Sequence, residues 1–521
     1  MYKLILSFLL SFNFLTAQNL ESIFLDKGNE IPLLTFDKPD DIEELLNQEV
    51  VKGQMLNFGK FVLCDISSSE DGLWTKVDGG KVWILALSAK DAKGISLYYD
   101  DFWIPSSGEL HIYNPTKTQK IGPFTSKHNH SSGLFATELI SGDMLILEYF
   151  QPDNESKDLK LSINRFAYAY RDISGGQLNG YNSSDECQVN ANCSEGNNWE
   201  NQKNSVCRIQ IGSGWNVGLC SGALVNNTLN NCNPYVLSAD HCFSGGDISD
   251  NGLNQSIFYF NYRSTNCNNS VPTNTHSVTG CSRKANSGGE GNVGDPDFFL
   301  VELNSDPDFD PYFSGWNRSN TAATSGVSIH HPSGDIMKIS TYTNTLSTAS
   351  GLGFGNDNST HWRVFWSETA NGHGVTEGGS SGSPIFNQNG LLTGVLTGGS
   401  SFCTATNQSD IYGKIWHAWD QVGNSNSEQL KPWLDPANTN AISLNGIYCN
   451  QSASVTAAFN SSETNVCLNS SVTFSSISSG DITDYSWEFP GGTPSFASGL
   501  GPHNVTYNSP GSYDVSLNVS G

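Results

Sequence analysis

The twelve cysteines of this chain are spread unevenly, and their positions constrain the fold more than any other sequence feature. Ten lie between Cys187 and Cys449, while Cys64 stands alone before that block and Cys467 stands alone after it. A dense block of cysteines indicates disulfide partners when the chain folds in an oxidising compartment. The sequence therefore predicts a disulfide-bonded central domain with a cysteine-poor unit on either side.

The N-terminus points to that compartment. Lys3 is followed by an apolar run over residues 4–15 and then by Thr16, Ala17 and Gln18, the pattern of a secretory signal peptide cleaved near Ala17. No later stretch approaches the ~20 apolar residues that span a bilayer. We therefore expect a signal peptide over residues 1–17 and a chain that is secreted, to the medium or to the cell surface.

Charge excludes two classes of partner. The 521 residues include 26 Lys plus Arg against 51 Asp plus Glu, which gives a formal net charge of −25. A surface this negative repels phosphate backbones and anionic lipid headgroups. Binding to nucleic acid and peripheral binding to membranes are therefore not expected.

Short alternating apolar runs separated by Gly, Pro, Asn, Asp and Ser are typical of antiparallel strands joined by tight turns. Examples are Val82–Leu87 and Met144–Tyr149. Between Cys187 and Cys449 few stretches have an amphipathic helical pattern before Ser427–Leu434, where a helix is expected. The sequence predicts an all-β protein: a β-rich unit over residues 18–182 that ends in a linker, a barrel or sandwich over 183–448, and a small sandwich over 449–521.

The segment GGSSGSP, residues 378–384, carries the strongest chemical signal. A nucleophilic serine needs a tight, glycine-flanked turn that exposes its hydroxyl and directs backbone N–H groups to one point. Ser381 has that place, and the N–H groups of Gly379 and Ser381 are the candidate oxyanion donors. Taken alone, the segment also fits a surface turn.

A candidate general base lies in VLSADHC, residues 236–242, where a strand runs into a turn that presents His241. A bridge between Cys220 and Cys242 would hold that turn, and a base needs a fixed imidazole within reach of the serine. A structural histidine beside a disulfide is the alternative. In DPDFFLVEL, residues 295–303, Asp297 is the candidate carboxylate that orients the imidazole, and Asp295 is its competitor.

The order His241, Asp297, Ser381 is that of the chymotrypsin-like proteases. Residues 187–447, about half of the chain, resemble the secreted bacterial lysyl endopeptidases, a branch of those proteases with a double β-barrel. The resemblance also rests on CSGALVNNT (220–228), FNY (260–262), GWNR (315–318), IHHP (329–332), VTEG (375–378), SDIYG (409–413) and WLDP (433–436). It implies a secreted serine endopeptidase that acts on proteins or peptides and needs no cofactor.

The resemblance also implies disulfides and a specificity residue. The implied pairs are Cys187–Cys403, Cys193–Cys267 and Cys220–Cys242, which leave Cys207, Cys232, Cys281 and Cys449 unassigned. In this family the acid that meets the cation of the substrate lies in a Ser-Asp-x-Tyr-Gly segment, and Asp410 matches it. Cleavage after basic residues is therefore implied, with Lys favoured and Arg possible. The chain departs from the family at Thr397, where members carry a histidine, and it has no tryptophan over residues 347–354.

No metal site is expected, because the chain has no HExxH segment and DPDFDP, residues 306–311, lacks the spacing of a calcium loop. The C-terminal unit resembles PKD-type β-sandwiches through SVTF (471–474), WEFPGG (487–492) and YNSPGSYDV (507–515), with Trp487 expected in its core. The resemblance implies a spacer or a substrate-binding module, with extracellular matrix or glycan as candidate partners. Two hypotheses follow: a secreted serine endopeptidase made with a propeptide, or a catalytically silent, protease-like adhesin. The intact triad favours the enzyme, and Arg171 is the last basic residue at which a propeptide ahead of Cys187 would be cut.

Overall fold

The computed structural model describes residues 22–25, 31–48, 52–172, 183–244, 248–289, 294–350, 359–449, 456–480, 482 and 484–520. The expected signal peptide and most of the expected linker lie outside these residues. Among the described residues, strands far outnumber helices, which confirms the all-β fold class. They belong to two compact units, residues 1–447 and 448–521, and none of the described helices has the length and apolarity that a membrane crossing requires.

The chain up to Asp172 builds a β-rich region around one short helix, α1 (Ile42–Leu46). Its strands are β1 (Leu33–Phe36), β2 (Leu56–Ser67), β3 (Leu73–Val77), β4 (Gly80–Ala89), β5 (Gly94–Trp103), β6 (Glu109–Tyr113), β7 (Lys120–Phe124), β8 (Phe135–Ala136), β9 (Ile140–Ser141), β10 (Met144–Pro152) and β11 (Lys160–Ala169). Strands β4 and β10 contain the two predicted runs, so those predictions are confirmed. One sheet of this region has the strand order β1-β4-β10-β6-β7, and β3 also pairs with β4. Alternate residues of β4, such as Trp83, Leu85 and Leu87, lie in the core.

The next part of the chain forms the first barrel of the chymotrypsin-like fold. Its strands are β12 (Val189–Asn190), β13 (Val206–Ser213), β14 (Asn216–Leu224), β15 (Tyr235–Ser238), β16 (Ile257–Phe260), β17 (His276–Thr279), β18 (Cys281–Asn286) and β19 (Phe299–Leu303), with helices α2 (Glu200–Lys203), α3 (His241–Ser244) and α4 (Asp250–Leu253). Strands β13 to β19 pair in the order β17-β16-β13-β14-β15-β19-β18, while β12 joins the second barrel.

The second barrel follows the order β23-β22-β26-β27-β28-β25-β24. Its strands and helices are β20 (Tyr312–Phe313), β21 (Trp316–Asn317), β22 (Gly326–His330), β23 (Lys338–Tyr342), β24 (Ser347–Ala349), β25 (His361–Phe365), β26 (Pro384–Asn387), β27 (Leu392–Gly399), β28 (Ser409–Lys414), α5 (Ile415–Asp420), α6 (Lys431–Leu434), β29 (Ser443–Leu444) and β30 (Ile447–Tyr448). One buried apolar cluster includes Leu300 of the first barrel and Ile329 and Phe386 of the second. The two barrels therefore share a core, and the loops between them are held in place.

The prediction of one helix over Ser427–Leu434 is only partly right. The chain forms a 3-10 turn over Asn426–Glu428, becomes extended at Gln429 and starts again as α6 at Lys431. Pro432 has no backbone N–H to donate to the preceding turn and disfavours helical backbone in the residue before it, so a helix can begin beside it but not run through it.

Strand β2 connects the N-terminal region to the first barrel. It pairs with β11 on one side and with β14 on the other, in an antiparallel register that sets Leu56 opposite Leu219 and Lys60 opposite Asn216. Backbone hydrogen bonds of a sheet therefore run without a break from the N-terminal region into the protease barrel.

The second compact unit is a small sandwich. Its strands are β31 (Phe459–Ser461), β32 (Ser471–Ser476), β33 (Asp484–Glu488), β34 (Gly492–Thr493), β35 (Phe496–Ser498), β36 (His503–Tyr507) and β37 (Ser516–Ser520). They form the sheets β31-β32-β36-β34 and β35-β33-β37. Trp487 is fully buried between them beside Val472 and Leu517, as predicted.

Candidate active site

Antiparallel pairing of β15 with β19 brings His241 and Asp297 together. Ser238, at the end of β15, pairs with Phe299, at the start of β19, so the turn after one strand meets the turn before the other. His241 Nδ1 lies 2.7 Å from Asp297 Oδ2, and the backbone N–H of His241 donates to Asp297 Oδ1 at 3.0 Å. Both residues are buried. Because one carboxylate accepts hydrogen bonds from both the backbone and the ring of His241, it fixes both.

Asp297 holds an unusual backbone conformation. Its φ is +54°, a value that residues other than glycine rarely adopt. Its carbonyl accepts a hydrogen bond from the N–H of Asp240 at 3.2 Å. Asp295 Oδ1 accepts the N–H of Asp297 at 2.6 Å. Asp297 is thus the carboxylate that contacts His241, and Asp295 holds the backbone of Asp297.

Ser381 lies in a turn that requires its glycines. Gly379 has φ +89° and Gly382 has φ +78°. A side chain at Gly379 would place its Cβ 2.9 Å from the carbonyl oxygen of His331, and one at Gly382 would meet Ser238 Oγ at 2.1 Å. Only glycine fits this tight turn against the end of β15.

Strand β14 links the serine turn to the histidine loop. Ser221 donates its N–H to the carbonyl of Ser381 at 2.8 Å and its hydroxyl to the carbonyl of Gly379 at 2.9 Å. The neighbouring Cys220 is bonded to Cys242, the residue after His241. The strand that binds the serine turn therefore also anchors the histidine loop.

The candidate oxyanion donors are available for a ligand. Neither the N–H of Gly379 nor that of Ser381 donates a hydrogen bond to another described residue. Ser381 itself is almost fully buried. Two backbone N–H groups beside a serine hydroxyl are the arrangement that stabilises a tetrahedral oxyanion.

Asp410 lies at the start of β28 and is completely buried. Its Oδ2 accepts hydrogen bonds from Trp366 Nε1 at 2.7 Å, Thr376 Oγ1 at 2.7 Å and Ser401 Oγ at 2.5 Å, while Oδ1 accepts the N–H of Ser401 at 3.2 Å. Four neutral donors thus hold this carboxylate inside the second barrel. Buried charges need such partners.

A cation from the N-terminal region also contacts Asp410. Lys52 Nζ lies 3.2 Å from Asp410 Oδ1, and the side chain of Lys52 is only 5% exposed. Burial lowers the pKa of Lys52, and the negative charges of Asp410 and Glu377 oppose that shift. No local sequence pattern marks Lys52, which lies 358 residues from Asp410 along the chain.

The structure contains the disulfides Cys187–Cys403, Cys193–Cys267 and Cys220–Cys242. Cys232 and Cys449 are disulfide-bonded as well, whereas Cys64, Cys207, Cys281 and Cys467 are free thiols. Four disulfides fit a protein of an oxidising, extracellular compartment.

Thr397 of β27, where the chain departs from the family, contacts a histidine of β25, which lies on the far side of β28 in the sheet. His361 of β25 places Nε2 3.0 Å from Thr397 Oγ1, and burial lowers the pKa of His361 to about 4. The adjacent histidines, His330 and His331, are also buried. His330 hydrogen-bonds to Ser380 Oγ at 2.8 Å, and burial lowers the pKa of His331 to about 3. These neutral imidazoles have a structural place around the serine turn.

One group of described residues has the spacing of metal ligands: Asp185, Glu377 and Cys403. The sulfur of Cys403 is already bonded to Cys187. The carboxylate of Glu377 accepts hydrogen bonds from Gln188 Nε2 at 2.6 Å and Ser333 Oγ at 2.7 Å. Protein groups thus occupy the ligand atoms of Glu377 and Cys403.

Two segments of the chain match models of known protein families. Residues 181–413 match the family model described as "Lysyl endopeptidase, C-terminal domain", and residues 456–521 match the model described as "PKD domain". Residues 181–413 form a lysyl endopeptidase-type domain. The chain is therefore a serine protease that carries a C-terminal PKD domain, which confirms the resemblance found in the sequence.

Solved structures of other proteases are similar at low identity. Protease Anisep from Arthrobacter nicotinovorans is 15% identical over 40% of this chain and 90% of its own, with a TM-score of 0.28. The thermostable serine protease AL20 from an extremophilic microorganism is 14% identical over 41% of this chain and 92% of its own, with a TM-score of 0.28. Likeness at this level carries no conclusion by itself.

Proposed function

We propose that this protein is a secreted serine endopeptidase that cleaves peptide bonds after basic residues, with lysine preferred to arginine, through an acyl-enzyme. The observation that carries the proposal is a buried carboxylate, Asp410, with an ammonium group against it in the domain that also joins His241 to Asp297.

The proposed reaction uses the chain's own groups. His241 accepts the hydroxyl proton of Ser381 as Ser381 Oγ attacks the scissile carbonyl carbon, and Asp297 stabilises the imidazolium that forms. The N–H groups of Gly379 and Ser381 bind the oxyanion. His241 then gives the proton to the leaving amine, and a water that it activates hydrolyses the acyl-enzyme.

Asp410 supports a basic residue on the acyl side of the cleaved bond. A carboxylate in a dry pocket gains strongly from a cation and gains nothing from a neutral side chain of similar length. We therefore expect cleavage after lysine to exceed cleavage after norleucine by about a thousandfold or more in kcat/KM.

The hydrogen bonds of Asp410 favour lysine over arginine. Three donors already occupy Oδ2, which leaves Oδ1 as the oxygen that faces the cation. A guanidinium binds a carboxylate best through both oxygens, whereas an ammonium is a point charge that needs only one. The geometry therefore supports a preference for lysine, roughly tenfold or greater.

Labelling by a fluorophosphonate tests whether the protein is an enzyme at all. Processed wild-type protein should be labelled at Ser381, and the Ser381→Ala variant should remain unlabelled. Hydrolysis of three peptides that differ only in lysine, arginine or norleucine at the cleaved position then measures specificity. Absence of label on the processed wild-type protein would favour the adhesin hypothesis instead.

The N-terminal region and the PKD domain have proposed roles as well. Residues 18–182 are proposed to be a propeptide with its linker, cut at the start of that linker after Arg171, whose Nη2 donates to the carbonyls of Leu45, Leu46 and Gln48 beside α1. The PKD domain, a general interaction module, is proposed to bind matrix or glycan. N-terminal sequencing of secreted protein and glycan-array binding test these two roles.

A further inference from the structure

Lys52 belongs to the N-terminal region, yet its ammonium group lies in the protease domain. We propose that Lys52 is an internal pseudosubstrate: it fills the Asp410 pocket, and together with β2 it makes the N-terminal region an inhibitor that excludes substrates. This inference rests on the proposed function, because it takes the Asp410 pocket to be the primary specificity site.

The pocket satisfies the ammonium of Lys52 completely. Lys52 Nζ donates to Asp410 Oδ1 at 3.2 Å, to Ser401 Oγ at 3.0 Å and to the backbone carbonyl of Ser401. An ammonium has three donors, and each has an acceptor here. The ring of Phe402 lies 4.7 Å from Nζ and adds a cation–π contact. A lysine of a substrate needs the same set of groups, so it competes with Lys52 directly.

Residues after Lys52 lie against β14 and the serine turn. Met55 packs on Gly218 of β14, and Leu56 Cδ2 would lie 3.3 Å from a Cβ at Gly379, next to the nucleophile. From Leu56 onward β2 pairs with β14, the strand whose Ser221 binds the serine turn. A strand added to an exposed edge is a common way in which an extended segment binds a protein, and this edge lies beside the nucleophile.

The backbone at Gly53 explains how Lys52 can occupy the pocket as an inhibitor. Gly53 has φ +83°, so the chain leaves the extended conformation immediately after Lys52. Attack requires the scissile carbonyl to be aligned between the nucleophile and the oxyanion donors, and small misplacements cost large factors in rate. A turn at Gly53 disfavours that alignment for the bond between Lys52 and Gly53.

We expect the pocket to keep its structure without Lys52. Trp366, Thr376 and the two donors of Ser401 hydrogen-bond to Asp410 independently of the lysine. A Lys52→Met chain should therefore fold, with a neutral side chain of similar length in place of the ammonium. Lys76 is an exposed residue of β3, and Lys76→Met is the matched control for the loss of one charge.

The test uses full-length chains that carry Ser381→Ala, so that none processes itself. Fluorescence anisotropy measures binding of a labelled hexapeptide with one central lysine, and of its norleucine counterpart. Because an intramolecular ligand acts at an effective concentration in the millimolar range, Lys52→Met should tighten binding of the lysine peptide by roughly tenfold or more. Lys76→Met should leave binding unchanged, and thermal unfolding of both variants checks that they are folded.

The binding data test two claims separately: that Lys52 blocks substrate binding, and that the Asp410 pocket selects a cation. If Lys52→Met binds the lysine peptide no better than Lys76→Met does, Lys52 is an ordinary structural ion pair and the inhibitor proposal is wrong. If Lys52→Met binds the lysine and norleucine peptides equally well and more tightly than the parent, Lys52 blocks the cleft but the pocket does not select a cation. That second result would overturn the proposed specificity and leave the inhibitor role intact.

Discussion

At the scale of single residues, two neighbouring acids have different roles: Asp297 contacts His241, and Asp295 holds the backbone of Asp297. Its positive φ is a conformation that costs about 1–2 kcal/mol for residues other than glycine. The carboxylate of Asp295 and the N–H of Asp240 hold that backbone, so Asp297 can direct both of its oxygens to His241.

Asp297→Asn should lower kcat/KM by about 10⁴-fold, because an amide no longer fixes the productive tautomer of His241 or stabilises its charged form. Asp295→Asn is the matched control: its amide oxygen can still accept the N–H of Asp297, so a much smaller loss is expected. Steady-state hydrolysis of a lysyl peptide measures both. An Asp297→Asn enzyme within tenfold of the wild type would contradict the assignment of Asp297.

Two buried histidines make stability depend on pH. Burial lowers the pKa of His331 to about 3 and that of His361 to about 4, from the ordinary histidine value of about 6.5. The unfolded chain therefore binds more protons than the folded chain between pH 6.5 and pH 4, and stability falls as the pH falls through that window. We expect protonation of each histidine to lower the free energy of unfolding by about 1–2 kcal/mol at pH 5 relative to pH 7.

Urea unfolding of the Ser381→Ala chain at pH 7 and pH 5 measures this loss. His361→Gln keeps an N–H donor for Thr397 but cannot be protonated, so it should reduce the difference between the two pH values. An unchanged difference in His361→Gln would show that His361 does not carry it.

Residues differ in how far sequence predicts them. A local sequence pattern indicates the role of each residue of the triad. His241 follows a strand at a turn, Asp297 precedes an apolar strand, and Ser381 lies among glycines. The structure joins His241 to Asp297 and sets the Ser381 turn beside them. Lys52 carries no such pattern, because its meaning depends on a pocket built from residues far along the chain.

At the scale of elements, the strands were more predictable than their partners. Alternating apolar residues identify β4 and β10, but β2 pairs with strands from two different regions, β11 and β14. Backbone hydrogen bonds are chemically the same in every strand, so a sequence gives the period of a strand and leaves its neighbour open.

The Cys187–Cys403 disulfide connects the beginning of the protease domain to the loop that carries Ser401 and Phe402. It spans 216 residues, a separation for which chain entropy predicts stabilisation of about 5 kcal/mol. Replacing both cysteines with alanine should lower the midpoint of thermal unfolding and raise KM for lysyl peptides, because the pocket loop loses its anchor. Replacing Cys193 and Cys267 is the control, and it should destabilise the protein with less effect on KM. Equal effects of the two double variants on KM would contradict this role.

At the scale of the whole molecule, the N-terminal region and the protease domain form one compact unit with a continuous sheet. Sequence composition indicated a boundary near residue 182 because the cysteine content changes there. Composition does not indicate that Lys52 and β2 of the N-terminal region contact the protease domain. The proposed enzyme is thus made together with a ligand for its own specificity pocket.

Digestion of a peptide library by processed enzyme, with the products identified by mass spectrometry, tests the central claim most directly. Wild-type enzyme and Asp410→Asn are compared, since asparagine keeps the shape of the buried group and removes its charge. We predict that the wild type cuts mainly after lysine, less after arginine, and that Asp410→Asn loses this preference. Cleavage by the wild type without preference for lysine or arginine, or an unchanged preference in Asp410→Asn, would contradict the account.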